Sequence, residues 1–347
     1  MNRKPVIIGI PKEIMSCEGR VPVVPEFLVK LRESCERKVI FLAEGGLGEK
    51  VGYKDADWMK YAAVVKDKKM LFKMSDIILK VKQPLDEEVQ YFREGQGLSC
   101  FCHVAATSDT MNKLLVKKVK IMPWEFHRPV LSAMSREAGS RVPEIIDACF
   151  MKHSLPLYWE KENFLVIGAR GIAGQHAISA LINRGGVKTS HIAACALENG
   201  VFVSPETKFT YETFSSRDDH ELRAHLKECR VLVLAAVKPV GGAPKVLSDE
   251  HLRLLPDNSF IIQIAIDEGG NIENKNFCKV TYWDNPVYEV EFEGKRHHIF
   301  NVPDIPGVIR PEDSVKSLSE VMLEYLPKII QTWPDVPPDL VFRGSGA

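Results

Sequence analysis

No apolar run in the chain approaches the roughly 20 residues that a membrane-spanning helix needs. The opening, MNRKPVIIGIPKE, holds an apolar stretch of only five residues before Pro11. That is shorter than the core of a signal peptide, so a cytoplasmic protein is expected. Neither sign of charge is in excess, with Lys plus Arg at 46 and Asp plus Glu at 46. A formal charge of zero supplies no global field for a polyanion, so nucleic acid is not an expected partner, and neither is a membrane surface. There is no C-x-x-C. The eight cysteines stand scattered at 17, 35, 100, 102, 149, 195, 229 and 278, several inside apolar runs, as reduced core thiols do. Cys100, Cys102 and His103 have the chemistry of metal ligands. On a strand, however, 100 and 102 share a face and 103 points away, which makes a poor tetrahedron, and no metal is expected. No repeat of 20–50 residues and no low-complexity tract interrupts the chain.

Apolar residues make up 45% and charged residues 27% of 347, ordinary usage for a globular chain of about two domains. Short apolar runs alternate with helical spacings. Val6–Ile10, Val39–Ala43, Ile77–Lys82 and Leu98–Val104 read as strands, with a helix from Pro25 to Arg32 between the first two. A second series runs through Phe164–Ile167, Ile192–Cys195, Val231–Leu234 and Phe260–Ile266. Each series implies βαβ units and a parallel sheet covered by helices. A helical pattern over Val142–Met151 falls between the two series, where the chain is expected to cross from one domain to the other. A long amphipathic helix starts at Pro311, and the tail from Trp333 reads as loosely held.

Phe164-Leu-Val-Ile-Gly168-Ala-Arg170-Gly171-Ile172-Ala-Gly174 places three glycines between a strand and a helical run. Glycines allow a tight turn and a close backbone approach, and a helix N-terminus favours a pyrophosphate. The spacing is G-x-x-G-x-x-G instead of the commoner G-x-G-x-x-G. The acid that binds ribose hydroxyls is expected at the end of the following strand, and Glu198 is the nearest. No Arg or Lys close to it in sequence would welcome a 2′-phosphate. NAD is therefore the expected cofactor, with NADP left open.

Four polar side chains fall where apolar strands stop: Arg20, Lys82, His103 and Asp267. Ligands of open parallel sheets bind beyond the carboxyl ends of the strands. Arg20 and Lys82 can hold a carboxylate there, and a histidine beside them can trade a proton. An oxidoreductase acting on an amino or hydroxy acid fits this set.

The motifs coincide with a known family. Gly9-Ile-Pro-Lys-Glu13, Glu18-Gly-Arg20, Leu79-Lys-Val-Lys82-Gln-Pro84, His103-Val-Ala-Ala106, Met134-Ser135 through Arg141, Ala243-Pro-Lys-Val-Leu-Ser248, Ile264-Ala-Ile-Asp267-Glu-Gly-Gly270 and Val302-Pro-Asp-Ile-Pro306-Gly occur in order over about 300 residues. They resemble the alanine dehydrogenases and pyridine nucleotide transhydrogenase subunits, with the related lysine-forming saccharopine dehydrogenases and carboxyethyl-ornithine synthases. The resemblance implies two doubly wound α/β domains of Rossmann type, with the active site in the cleft between them. Residues 1–135 with 305–347 would form the substrate domain, and 136–304 the NAD-binding domain. Arg20, Lys82 and Met134 would meet the substrate, while His103 with Lys82 and Asp267 would carry the chemistry. Gly168, Arg170, Gly171, Ile172, Gly174, Glu198 and Ser135 would meet the cofactor. The implied activity is oxidative deamination of an amino acid, or the reverse reductive amination, with hydride transferred to or from the nicotinamide. A homo-oligomer, dimer or larger, is also implied.

Three departures widen the choice within the family. The glycine loop has one residue more than alanine dehydrogenases carry and looks more like that of saccharopine dehydrogenases. Leu155-Pro-Leu-Tyr-Trp-Glu160 replaces a glycine-rich stretch, and Asp304 and Gln263 stand where Asn and Asp are usual. A saccharopine or carboxyalkyl amino-acid dehydrogenase is thus the alternative enzyme. A non-catalytic nucleotide-binding regulatory protein is the alternative of another class.

Overall fold

The computed structural model describes residues 3–15, 18–104, 109–153, 156–238 and 242–344. Cys17, the end of the 103–106 segment and Leu155 lie outside them. The chain divides into two compact units, Met1–Met134 with Arg310–Ala347, and Ser135–Ile309.

The first unit is built on six strands: β1 (Val6–Ile10), β2 (Val39–Glu44), β3 (Ala63–Val65), β4 (Ile77–Lys82), β5 (Gly97–Phe101) and β6 (Lys120–Pro123). All pair in parallel, in the order β3-β2-β1-β4-β5-β6. A parallel sheet covered on both faces needs strands without polar alternation, and β4 is buried at every position. Before the chain leaves this unit, its helices of seven residues or more among the described residues are α1 (Phe27–Glu33), α2 (Lys68–Met74), α3 (Asp109–Val116) and α4 (Arg128–Ser140). Asp67 caps α2 by accepting from the backbone N–H groups of Lys69 and Met70.

The second unit continues with α5 (Val142–Lys152), α6 (Ile172–Gly185) and α7 (Asp219–Glu228). Its strands are β7 (Phe164–Ile167), β8 (Ile192–Ala196), β9 (Gly200–Val203), β10 (Thr210–Ser215), β11 (Val231–Leu234), β12 (Ser259–Gln263), β13 (Val287–Phe292) and β14 (Lys295–Phe300). Their order is β13-β14-β12-β11-β7-β8-β10-β9. The six inner strands are parallel, and the outer two, β9 and β13, pair antiparallel to β10 and β14. Read from β10 to β14, these six strands repeat the 3-2-1-4-5-6 order of the first unit. The order reverses beside the first strand, and ligands bind at that point in doubly wound sheets.

The chain returns to the first unit through α8 (Pro311–Thr332), which buries Val315, Leu318, Met322, Leu326 and Ile329 at helical spacing. The described part of the tail beyond it is packed down, contrary to its composition. Trp333 and Leu340 are buried. Lys120 Nζ donates to the Pro334 carbonyl at 2.6 Å, and Phe342 bridges Ile121. Two strands also stop earlier than their apolar runs suggest. β5 ends at Phe101, and β12 ends at Gln263, after which Ile266–Glu268 forms a 3-10 turn. Apolar runs extend past both strand ends because the loops there are themselves buried.

Candidate functional site

At the switch point of the first unit, the loop after β1 meets the end of β4. Glu13, from that loop, accepts the backbone N–H of Val81 at 2.6 Å and of Lys82 at 3.4 Å. Its other carboxylate oxygen faces Lys80 Nζ at 3.2 Å, and Glu88 lies 3.0 Å from the same ammonium. Lys68 extends the network to Glu88 and Glu44. Burial pushes the Glu13 carboxyl above its ordinary range, aided by the nearby Glu18. Burial works against the Lys80 ammonium, but Glu13 and Glu88 more than offset it and hold its pKa above the usual value.

Arg20 is 3% exposed and held in one plane by Glu18. Its Nε donates to one Glu18 oxygen at 2.9 Å and its Nη2 to the other at 2.6 Å, a bidentate fork. Nη1 then points at Met134 Sδ, 3.2 Å away. Arg20 and Met134, 114 positions apart in sequence, thus meet in this unit. Lys82 ends β4, is 6% exposed, and registers opposite Phe101 of β5. Two residues on, the His103 ring stacks on Phe101 with centroids 6.5 Å apart. The structure therefore places Lys82 at the carboxyl end of β4 and His103 beyond that of the adjacent β5.

His103 adopts a left-handed backbone with φ of 50°. Such a conformation in a non-glycine residue persists only where its surroundings impose it. Here Glu125 accepts the N–H of Cys102 at 3.0 Å with one oxygen and of Val104 at 3.1 Å with the other. Glu125 and Glu18 are positioning residues that the motifs did not single out. Glu18 stood inside a recognised motif, two residues from the arginine it orients; Glu125 gave no signal, because its partners are backbone amides of another loop. Cys100 and Cys102 approach each other at 3.4 Å, and burial raises both thiols above their ordinary pKa, Cys102 well above it. Neutral buried thiols are poor metal ligands. Among the described residues, the one group with metal-compatible spacing is His153, Glu289 and His298, and Arg296 approaches that glutamate at 3.6 Å.

In the second unit the glycine loop follows β7 and enters α6. Gly168 has φ of 88°, and a Cβ there would lie 2.7 Å from the backbone of Ala235 and Ala236, beyond β11. A Cβ on Gly174 would lie 2.3 Å from the Gly168 carbonyl. The first glycine makes the turn and the last lets the helix seat on it, as a pyrophosphate-binding loop requires. Gly171 is the exposed N-cap of α6, with Ile172 as its first residue. The carbonyls of Ala169 and Arg170 accept from Tyr211 Oη and Gln175 Nε2, both at 2.8 Å, which fixes the loop. Ser135, on α4, is half-buried. The residues present therefore fit a dinucleotide.

Glu198 lies two residues past β8 and is not alone. Arg170 Nη1 donates to it at 3.2 Å. The expectation that no basic residue stands near this acid is corrected: the two are 28 positions apart in sequence but joined in space by the glycine loop. Asp267 is exposed in the turn after β12. That turn is anchored by Gln263, wholly buried, whose amide donates to the Phe277 carbonyl at 2.6 Å and to Asn301 Oδ1 at 3.0 Å. Its Oε1 accepts the Asn271 N–H at 3.2 Å.

Comparison with known proteins finds one family, matched in two parts of the chain. Residues 9–136 match the family described as alanine dehydrogenase/PNT, N-terminal domain, and residues 159–334 match alanine dehydrogenase/PNT, C-terminal domain. The chain is 29% identical to an alanine dehydrogenase of Lysinibacillus sphaericus over 92% of its own length and 86% of that protein. It is 28% identical to the alanine dehydrogenase of Bacillus subtilis, over 92% and 84%. A solved L-alanine dehydrogenase superposes with a TM-score of 0.80 at 22% identity, covering 97% of this chain and 94% of that one. A transhydrogenase from Sinorhizobium meliloti superposes at 0.73 and 22% identity, covering 98% of each. The chain belongs to the alanine dehydrogenase/PNT family.

Proposed function

We propose that the protein is a nicotinamide-dependent oxidoreductase that acts on the C–N bond of an amino acid, with NAD as its dinucleotide. One observation carries the reading. The two units share a strand order, and the loops beyond the strands of each carry side chains or backbone suited to a different half of the needed chemistry. One supplies a backbone cradle for a pyrophosphate. The other supplies Arg20, Lys82 and His103 beyond the ends of its strands.

In this reading Arg20 and Lys82 hold the substrate carboxylate, with the plane of Arg20 set by Glu18 and the backbone of Lys82 set by Glu13. Met134 packs beside the guanidinium and borders the substrate. When bound, the nicotinamide supplies the hydride acceptor or donor. His103 takes a proton at a ring nitrogen as water adds to the imine carbon, and returns it to the departing nitrogen. Asp267 orients the water or the reacting nitrogen. Gly168, Arg170, Gly171, Ile172 and Gly174 hold the dinucleotide, joined by Ser135 and Glu198. The balanced reaction converts an amino acid, oxidised dinucleotide and water to a keto acid, an amine, reduced dinucleotide and a proton. Alanine and a secondary amine such as saccharopine use the same carboxylate grip and differ in the second arm.

A screen of NADH oxidation by the full chain tests this. Pyruvate with ammonia, pyruvate with ornithine or lysine, and 2-oxoglutarate with lysine are offered in parallel. Turnover in one mixture identifies the amine and the keto acid. NADH binding without turnover in any mixture overturns the catalytic reading in favour of a nucleotide-binding regulatory protein.

A further inference from the structure

His153, Glu289 and His298 reach one another from three elements of the second unit. His153 is the C-cap of α5, and its backbone N–H donates to the Cys149 carbonyl at 3.2 Å. Glu289 and His298 are directly opposed residues of the antiparallel pair β13 and β14. Opposed residues point to the same face of a sheet. α5 covers that face, where its Phe150 meets Phe260 of β12, the residue registered to His298.

Glu289 Oε1 lies 3.8 Å from His153 Nδ1 and 3.8 Å from His298 Nδ1. The two imidazole centroids are 5.2 Å apart, and one donor atom from each of the three residues falls within 4.8 Å of the others. Glu289 Oε2 faces Arg296 Nε at 3.6 Å. The carboxylate thus turns one oxygen to the arginine and the other to both rings. At 3.8 Å neither imidazole is hydrogen-bonded to it. Neither ring nitrogen of the buried His298 has a hydrogen-bond partner among the described residues, and the buried Nε2 of His153 has none either. Buried polar atoms in that condition are rare and costly.

Two imidazoles and a carboxylate are a donor set for zinc and similar divalent cations. Bonds of about 2.0–2.2 Å place tetrahedral donor atoms roughly 3.3–3.6 Å apart, so closure needs shifts of about 1 Å. The Glu289 and His153 side chains, 44% and 21% exposed, have room to make them around His298, which is 3% exposed. The negative end of the α5 dipole favours a cation beside it.

We propose that His153, Glu289 and His298 form a site for a divalent cation of the zinc type, which ties the end of α5 to the β13–β14 hairpin. Water takes the fourth position that three protein ligands leave. His298 lies in mid-strand, and β12 and β11 separate β14 from β7. The site is thus apart from the strand ends where ligands of such sheets bind. The cation holds the fold and takes no part in the redox reaction, so the proposal does not depend on the dinucleotide reading.

The test uses the full chain, stripped with a chelator and then freed of it. Calorimetry with zinc chloride is expected to show one equivalent bound per chain. Zinc is also expected to raise the melting temperature by several degrees, as a ligand of the native state does. Cobalt(II) in its place is expected to give the weak visible bands of nitrogen and oxygen ligation without the strong thiolate charge-transfer band, which separates this site from the cysteines. Glu289→Gln and His153→Asn are each expected to weaken zinc at least about tenfold, since even loss of a group behind a ligand costs that much. Both are expected to lose the thermal shift while melting close to wild type without metal. Should one of them melt far below wild type without metal, the other decides. Wild type that takes up no zinc overturns the proposal, and means that water bridges the three groups. Zinc affinity kept in both variants, or a thiolate band with cobalt, overturns it as well. Zinc bound without a thermal shift overturns the tie between α5 and the hairpin.

Discussion

β4 and β11 occupy the same place in their sheets, next to the first strand across the switch point, yet one reads Ile-Ile-Leu-Lys-Val-Lys and the other Val-Leu-Val-Leu. The first sheet drives charge into its interior, where Lys80 is 1% exposed between two carboxylates. The second keeps its strand wholly apolar and ends it against glycine backbone. A parallel sheet offers only its strand ends to a ligand, so function depends on what the loops bring there. A small charged substrate needs side chains fixed in direction, and the ionic network of the first unit fixes them. A pyrophosphate needs backbone N–H groups at close range, and side chains there would be in the way.

The sharpest way to break the comparison is to remove one function at each switch point and look for loss at the other. His103→Ala is expected to lower turnover by about 10²–10⁴-fold while leaving NADH affinity within a few-fold, as for loss of an acid–base group. Gly174→Val is expected to lose NADH binding, because its side chain would meet the Gly168 carbonyl that lies 2.3 Å from a Cβ there. Steady-state rates and fluorescence titration on the two variants separate the effects. Loss of NADH binding in His103→Ala would show that the histidine maintains structure instead of moving a proton.

The parts of this division that could be read in the sequence are the parts encoded locally. β7, the glycines and the start of α6 are one contiguous segment, and β1, β4 and β5 are apolar runs of ordinary strand length. The end of the sheet at β10 and β9 gave no such signal: β10 buries only Tyr211, Thr213 and Phe214 of its six residues, and β9 is largely exposed, so neither is an apolar run. Contacts made across the chain were also invisible. The pairing of Arg170 with Glu198 depends on how far a loop reaches, and that of Glu125 with the amides around His103 on the approach of β6 to β5. Gln263 was noticed as an odd residue, but its meaning lies in three partners at 271, 277 and 301.

A smaller effect sharpens the contrast in how the sheets are held. Lys80→Met leaves Glu13 and Glu88 buried with less positive charge between them. It is expected to cost about 3–5 kcal/mol in a denaturant titration, the range for removing one partner of a buried pair. Adding Glu13→Gln and Glu88→Gln should recover much of that loss, since a neutral cluster of similar volume no longer holds unpaired charge. A cost below about 1 kcal/mol for Lys80→Met would mean that water reaches the network and the charges are not structural.

The smallest effect is one of pH, and its sign differs between the units. In the second unit, burial first and then the charge of Lys295 hold His297 down to about 4. Burial likewise lowers His176 and His298. A histidine with a lowered folded pKa binds fewer protons in the native state than in the unfolded one. Stability therefore falls as pH drops from the unfolded value of about 6.5 to about 4. In the first unit Glu13 is raised, so the native state binds more protons there, and acid works in the opposite direction until the ordinary carboxyl range is reached. Hydrogen exchange followed from pH 7 to 4.5, corrected for intrinsic rates, should show β12 and β14 losing protection relative to β1 and β4. His297→Leu should flatten the loss in β14, because a side chain that cannot be protonated removes the proton linkage while keeping the volume filled. Equal loss in both sheets would mean that the buried imidazoles do not set the acid limit, and that the charged and apolar switch points are equally tolerant of protons.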